Sequence, residues 1–103
     1  MTKEEVRLLS IALKKAQEES IKFADSEDGG SCNFDTPVLF LKATRKQLQG
    51  LPLTKIDYGS WKGSWFVEIP IYGMGNRRTR MAEAIAKSLN ESGFNAGVYY
   101  QLD

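Results

Sequence analysis

The residue types best suited to molecular recognition fall in two short stretches of the 103-residue chain. The first stretch, WKGSWF, brings together Trp61, Lys62, Trp65 and Phe66. The second, NRRTR, contains the three arginines Arg77, Arg78 and Arg80. Aromatic rings stack on nucleic-acid bases and arginines bind phosphates, but Trp, Tyr and Arg also dominate the hot spots of protein–protein interfaces. The pattern therefore predicts a binding surface and leaves the class of its partner open.

The three arginines follow the glycines of GMG and stand at the start of a predicted helix. This segment lacks the lysine and the serine or threonine of a P-loop, and it is too short for the dinucleotide fingerprint. Arginines at a helix N-terminus oppose the helix macrodipole, at a cost of about 0.3–1 kcal/mol each when nothing compensates them. Either an anionic partner binds the arginines and neutralises their charges, or the glycines only turn the chain and the arginines remain in solvent.

Catalytic and metal-binding chemistry has little support in the composition. The chain has no histidine, and its one cysteine, Cys32, excludes an internal disulfide and is expected to be a small buried residue. In the acidic loop after the first helix, Gly29 and Thr36 stand where a calcium loop needs a side-chain oxygen and a bidentate carboxylate. The remaining candidate carboxylates are Asp35, Asp57, Glu68 and Asp103. We expect no enzyme activity, no metal and no cofactor.

The bulk composition is that of one soluble globular domain, residues 1–103. Hydrophobic residues make up 42% of the chain and charged residues 26%, and the net charge is +1. The basic excess lies in residues 29–103, so an anion-attracting surface is expected away from the first helix. No leader segment and no apolar run of about 18 residues is present, which predicts a cytoplasmic protein without a membrane anchor.

The N-terminal pattern predicts a helix from Thr2 to about Ala24. Thr2 and Glu5 have the spacing of a capping box. Apolar or small residues recur at three- and four-residue steps and predict one buried stripe, namely Val6, Leu9, Leu13, Ala16, Ser20 and Phe23. Core packing is the favoured role of this stripe. The alternative is pairing with a second chain, so the protein is predicted to be a monomer or a homodimer.

The rest of the chain predicts a sheet with one further long helix. A strand is expected over 37–43, at most two turns of helix over 44–50, and a hairpin over 53–72 with its turn at Lys62–Gly63. Asn76 is the expected N-cap of the second long helix, which ends at Gly93 before a final strand. The predicted fold class is α+β: a long N-terminal helix followed by β-(short α)-β-β-α-β, a four-stranded sheet with helices on one face.

The octamer KGSWFVEI, residues 62–69, resembles the RNP1 motif of RNA-recognition motifs, and LFL at 39–41 is similar to the core of their RNP2 motif. The resemblance implies that Phe40 and Phe66 lie on an open sheet face, where bases stack on them. Ser64 and Trp65 depart from the family pattern, since they stand where an aromatic and a small residue belong. The first two predicted strands are also too close in sequence to enclose the family's first helix.

The segments GSCNFDTPVLF and NRRTRMAEAIAKSLNESGFNAGVYYQLD resemble small, largely uncharacterised accessory proteins of phages and conjugative elements of Gram-positive bacteria. The resemblance implies an accessory role in transfer, regulation or counter-defence. Our leading expectation is a non-enzymatic, anti-CRISPR-like inhibitor that binds a host nucleic-acid-handling protein. The alternative is a domain that binds single-stranded RNA or DNA directly through an aromatic sheet face and the basic helix start. The expected contact residues are Trp61, Lys62, Trp65, Phe66, Arg77, Arg78 and Arg80.

Overall fold

The computed structural model describes residues 1–24, 34–71 and 75–100. In chain order these residues form α1 (Lys3–Ile21), β1 (Thr36–Leu39), β2 (Leu53–Lys55), β3 (Trp65–Val67), α2 (Gly75–Glu91) and β4 (Ala96–Tyr99). The predicted α+β class, with a long helix before a four-stranded sheet, is confirmed. Cys32, Asp103 and the predicted acidic loop lie outside the described residues.

The predicted capping box begins α1. The backbone N–H of Thr2 donates to Glu5 Oε1 at 2.8 Å, and the backbone N–H of Glu5 donates to Thr2 Oγ1 at 3.1 Å. These two bonds satisfy N–H groups that have no partner inside the helix. Hydrogen bonds from the backbone and then from the side chain of Thr2 lower the pKa of the Glu5 carboxyl. The capping box therefore fixes where the helix starts.

One face of α1 is buried, as its periodicity predicts. Leu9, Leu13 and Ala16 are within 1% of complete burial and belong to the same cluster as side chains of the sheet and of α2. Phe23 is 39% exposed, contrary to the prediction, because α1 ends at Ile21 and does not carry the stripe that far. The seam that could have paired with a second chain is thus used inside the domain.

All neighbouring strands of the sheet are antiparallel, in the order β2-β3-β1-β4. Both β3 and β4 run antiparallel to β1, which lies between them, so β3 and β4 run in the same direction. With α2 as their connection they form a split β-α-β unit. Leu39 of β1 is opposite Trp65 on one side and Ala96 on the other, which fixes the register across the three strands.

Both helices pack on one face of the sheet, as predicted. Leu39, Trp65 and Val67 on that face form one hydrophobic cluster with side chains of α1 and α2. Side chains alternate along a strand, so Val38 and Phe66 face the opposite side. That second side is called the open face below.

The connection between β1 and β2 differs from the prediction. Residues 45–50 form turns and no helix. Thr44 and Gln47 bond each other reciprocally, at 3.0 Å from the Thr44 N–H and at 3.2 Å from the Gln47 N–H, as at a helix start. Gly50, with a φ of 86°, and Pro52 follow too soon for a helix to propagate after its costly first turn.

The hairpin is shorter than predicted and its loop is longer. Hydrogen bonds link Ile56 to Ser64 and to Gly63, at 2.8 and 2.9 Å, so residues 57–62 lie outside the ladder. Gly59 has a φ of 72° and Gly63 a φ of 92°. The tight turn predicted at Lys62–Gly63 is therefore wrong, although Gly63 does adopt the positive φ expected of it.

The ends of α2 show one correction and one confirmation. The helix begins at Gly75, so Asn76 lies in its first turn and is not the residue before it. At the other end Gly93 has a φ of 92°, and the N–H of Phe94 donates to the Leu89 carbonyl at 3.0 Å. This is the Schellman arrangement that a helix-ending glycine predicts.

Candidate functional site

Four aromatic side chains gather on the open face. Phe66 of β3 and Tyr99 of β4 share this face with Val38, and Phe40 follows β1 directly. Trp61 reaches the same face from the hairpin loop, because its ring stacks on that of Phe40. We call these four residues, Phe40, Trp61, Phe66 and Tyr99, the aromatic cluster.

The rings of the aromatic cluster form a continuous chain of contacts. Phe40 and Trp61 are stacked, with centroids 5.3 Å apart and an angle of 21° between their planes. Tyr99 makes edge-on contacts with Trp61 and with Phe66, at centroid distances of 5.9 and 6.0 Å. Such pairs contribute about 0.5–1.5 kcal/mol each beyond their buried area. Each ring is only partly buried, whereas Val38 is fully buried, so the cluster covers the centre of the open face and remains accessible itself.

Two glycine features allow this arrangement. Gly59 and Gly63 take positive φ values on either side of Trp61, so the loop can fold back over the sheet. Gly97 lies opposite Val38, and a Cβ at position 97 would come within 3.3 Å of the Phe40 ring. The absence of a side chain at Gly97 therefore leaves room for Phe40 against β4.

Cationic side chains stand at two ends of the cluster. Lys62 is exposed and follows Trp61 in the loop. Arg78, from the first turns of α2, donates from Nε to the Asp35 carbonyl at 2.6 Å and from Nη2 to Thr36 Oγ1 at 3.2 Å. Arg78 also lines a shallow cleft of about 400 Å³ beside Phe66 and Glu68. Its guanidinium is thus held at the sheet, next to a ring of the cluster.

The three arginines do not form one basic patch. Arg78 lies at the open face, whereas Arg80 lines a groove of about 370 Å³ between α1 and α2, together with Glu19 and Glu83. Arg77 is half-buried. The predicted anion-binding cluster at the helix start is therefore divided between different surfaces.

An internal carboxylate lies at the start of α2. Asp35 is only 2% exposed, and Thr79 Oγ1 donates to its Oδ2 at 2.6 Å. A negative charge near a helix N-terminus is stabilising, so Asp35 compensates the macrodipole that the arginines oppose. This intramolecular contact removes the main argument that these arginines require an external anion.

Trp65 is part of the core and is a correction to the predicted contact residues. It is 2% exposed, its indole N–H donates to the Leu41 carbonyl at 3.1 Å, and the Lys55 ammonium lies 5.6 Å from its ring centroid. Trp65 and Phe66 are adjacent in sequence, but strand alternation places them on opposite faces. Of the two tryptophans, only Trp61 is available to a partner.

Sequence reasoning missed Tyr99 as a site residue. The signal was the spacing of Gly97 and Tyr99, which share one face of β4. The neighbouring Tyr100 leaves the cluster and donates its hydroxyl to Glu83 Oε2 on α2 at 3.0 Å. Burial, then this bond and the Glu83 charge, raise the pKa of Tyr100.

Two of the carboxylates considered for catalysis, Asp35 and Asp57, make hydrogen bonds at separate places in the structure. Asp57 accepts two bonds from Arg45 Nη2, at 2.5 and 2.6 Å, on the surface, while Asp35 is buried against Thr79. Within residues 1–24, 34–71 and 75–100, no three acidic or sulfur side chains are grouped so that they could hold a metal ion. Neither helix of the described chain is long and apolar enough to cross a membrane.

Comparison of the chain with protein-family models, curated proteins and solved structures finds no match. The phage or mobile-element origin that the sequence resemblance implies stays a prediction.

Proposed function

We propose that this chain is a non-enzymatic binding protein that holds single-stranded RNA or DNA on the aromatic cluster. One observation carries the proposal: four rings share the sheet face opposite to both helices, and each is left partly accessible. Bases stack on such rings with about 1–3 kcal/mol per base, largely independent of sequence. Aromatic residues at this place in a four-stranded antiparallel sheet are also how many RNA-binding domains hold unpaired bases.

The rings have different roles in this proposal. Trp61 already stacks on one side of Phe40, so Phe40 supports Trp61 and Trp61 offers the outer ring surface. Phe66, beyond Tyr99, provides a second position for a base. The RNA-recognition-motif resemblance implied Phe40 and Phe66 as the stacking pair. The geometry favours Trp61 and Phe66, with Tyr99 between them.

The charges predict that the phosphate backbone of the oligonucleotide is bound more strongly at one end of the aromatic cluster than at the other. Lys62 next to Trp61 is exposed and free to approach a phosphate. Arg78 at the other end already donates to the Asp35 carbonyl and to Thr36 Oγ1. We therefore expect Lys62 to provide most of the salt-dependent part of the affinity. Its substitution by alanine should lower the slope of log affinity against log salt by about one.

A binding titration with labelled unstructured RNA and DNA oligonucleotides tests the proposal. The wild-type chain should bind both, less tightly at about 200 mM than at about 50 mM salt. Phe66→Leu keeps an apolar side chain against the sheet but removes the stacking ring, so it should weaken binding about tenfold, equivalent to the lower part of the stacking range. Its thermal unfolding midpoint should fall by only a few degrees, because the variant loses the ring contact between Phe66 and Tyr99.

The matched control is Tyr58→Leu. Tyr58 belongs to the same loop as Trp61, but it is 74% exposed and has no part in the aromatic cluster. Oligonucleotide affinity should be unchanged in this variant. Equal losses from Tyr58→Leu and Phe66→Leu, or no binding by the wild type at either salt, would contradict the proposal.

A protein partner is the second candidate, and one observation favours it. Tyr58 and Trp61 stand together in one loop, and exposed Tyr and Trp residues are typical of protein–protein hot spots. The expected inhibitor of a host nucleic-acid-handling protein is the specific form of this candidate. It predicts the reverse of the control above: Tyr58→Leu should weaken capture of the host protein, and oligonucleotides should not compete.

A further inference from the structure

The solvent-facing side of α1 carries an apolar pair between two opposite charges. Leu8 is 47% and Ile11 55% exposed, whereas Leu9 and Leu13 on the other side of α1 are buried. Glu4 precedes this pair and Lys15 follows it, and both are exposed. The spacing of four, three and four residues places all four side chains along one line of the helix. We call Glu4, Leu8, Ile11 and Lys15 the outer stripe.

The outer stripe is distinct from the seam that the sequence analysis considered for pairing. That seam contains Leu9 and Leu13, which are buried against the sheet and α2. The outer stripe also borders an apolar groove of about 760 Å³, to which Phe40, Leu41 and Phe94 contribute. The exposed apolar surface around Leu8 and Ile11 is therefore larger than two side chains.

We propose that the outer stripe binds a second copy of this chain, with the two α1 helices antiparallel. In that orientation Leu8 of one copy contacts Ile11 of the other. The two-fold axis repeats this contact, so Ile11 of the first copy contacts Leu8 of the second. The same register sets Glu4 opposite Lys15 at each end. Pairs of facing side chains of this kind form the successive layers of an antiparallel coiled coil. A two-fold interface must be self-complementary, and this pairing of residues is.

The charge pattern disfavours the competing arrangements of two α1 helices. A parallel pair would set Glu4 against Glu4 and Lys15 against Lys15, which is repulsive at both ends. Moving the antiparallel pair by one layer sets Glu4 against Glu18 in one direction and Glu4 against Ile11 in the other, so the two opposite-charge pairs are lost either way. Only the register centred between Leu8 and Ile11 joins apolar contact with two opposite-charge pairs. The self-complementary charges point to a second copy as the occupant.

Sedimentation equilibrium over a range of concentrations tests the proposal. The wild-type mass should rise from 11.6 kDa toward twice that value as concentration increases. Each of Glu4→Lys and Lys15→Glu alone should weaken self-association at least about tenfold, because symmetry converts two attractive pairs into two repulsive ones. The double variant Glu4→Lys with Lys15→Glu should restore self-association, since the pairs are then exchanged.

Lys14→Glu is the matched control, because Lys14 is exposed on α1 and lies off the outer stripe. It should associate like the wild type. Glu4→Lys also removes the ion pair of Glu4 with Arg7, so its helix content must be compared by circular dichroism; Lys15→Glu leaves that pair intact. A wild-type mass of one chain at every concentration would overturn the proposal. A dimer that the single reversals leave unchanged, or that the double variant fails to restore, would overturn it equally.

Discussion

The two faces of the sheet are both covered with apolar side chains, but in different ways. On the helix side Leu39, Trp65 and Val67 are at most 2% exposed beneath two helices. On the open face the cover consists of the aromatic cluster, whose rings stay partly exposed and which depends on one loop residue, Trp61. The helix side is thus covered by two helices, whereas the open face is covered by side chains alone.

This difference separates the parts of the molecule that hold the fold from those that can bind. Removing a helix-side residue leaves a cavity in a close-packed core, which neighbouring elements cannot fill. Rings on the open face already border solvent, so they can change partners while the strands below stay paired. Trp65 and Phe66 are consecutive residues of β3, but Trp65 belongs to the part that holds the fold and Phe66 to the part that can bind.

The largest effect is expected from Trp65→Ala. Removing this ring creates a core cavity and leaves the Leu41 carbonyl without its indole donor. The free energy of unfolding should fall by about 3–5 kcal/mol, a large part of the stability of an ordinary domain. Urea denaturation followed by circular dichroism measures it. If this variant does not fold, Trp65→Phe, which loses the N–H bond but keeps a ring, should cost about 1–3 kcal/mol. Losses below 1 kcal/mol in both would show that the helix side is not the core.

Trp61→Ala should have a smaller effect on stability and a larger one on binding. It removes one stacked and one edge-on ring contact from a partly exposed site, so we expect a loss of about 1–2 kcal/mol in the same urea experiment. Oligonucleotide affinity should fall at least about tenfold. A stability loss as large as that of Trp65→Ala would remove the distinction between the two faces.

The smallest change in stability is expected from Gly97→Ala. Its Cβ would lie 3.3 Å from the Phe40 ring, so Phe40 must move by a few tenths of an ångström. The lower entropy of the unfolded chain offsets part of this strain, and the net change should be within about 1 kcal/mol. The near-ultraviolet circular dichroism of the stacked Phe40–Trp61 pair should nevertheless change. An unchanged spectrum would mean that Gly97 does not control the packing of this pair.

The sequence was sufficient to predict elements that local chemistry determines. Residues only a few positions apart determine three such elements: the capping box of Thr2 and Glu5, the buried stripe of α1 and the glycine that ends α2. The presence of a sheet with helices on one face followed from the order of these elements. Strand alternation also places Trp65 and Phe66 on opposite faces of the sheet, and the register shows which face each of them occupies.

Three of the four ring residues could be named from the sequence, but their assembly into one site could not be predicted, because the assembly depends on contacts between distant residues. Nothing local to Trp61 shows that the hairpin loop folds back onto Phe40, and nothing local to the arginines shows that Asp35 lies at the start of α2. Tyr99 joins the cluster only because β4 pairs with β1 in one register. Register and loop direction are properties of the assembled sheet, not of neighbouring residues.

The two tryptophans, one on each side of the sheet, allow the central claim to be tested in one spectrum. In a ¹H–¹⁵N correlation spectrum each indole N–H gives its own signal, assigned with Trp61→Phe. On addition of a single-stranded RNA or DNA oligonucleotide, the Trp61 signal should shift or broaden while the Trp65 signal stays in place. Two unmoved signals at saturating oligonucleotide, or a shift of Trp65 alone, would contradict binding at the aromatic cluster.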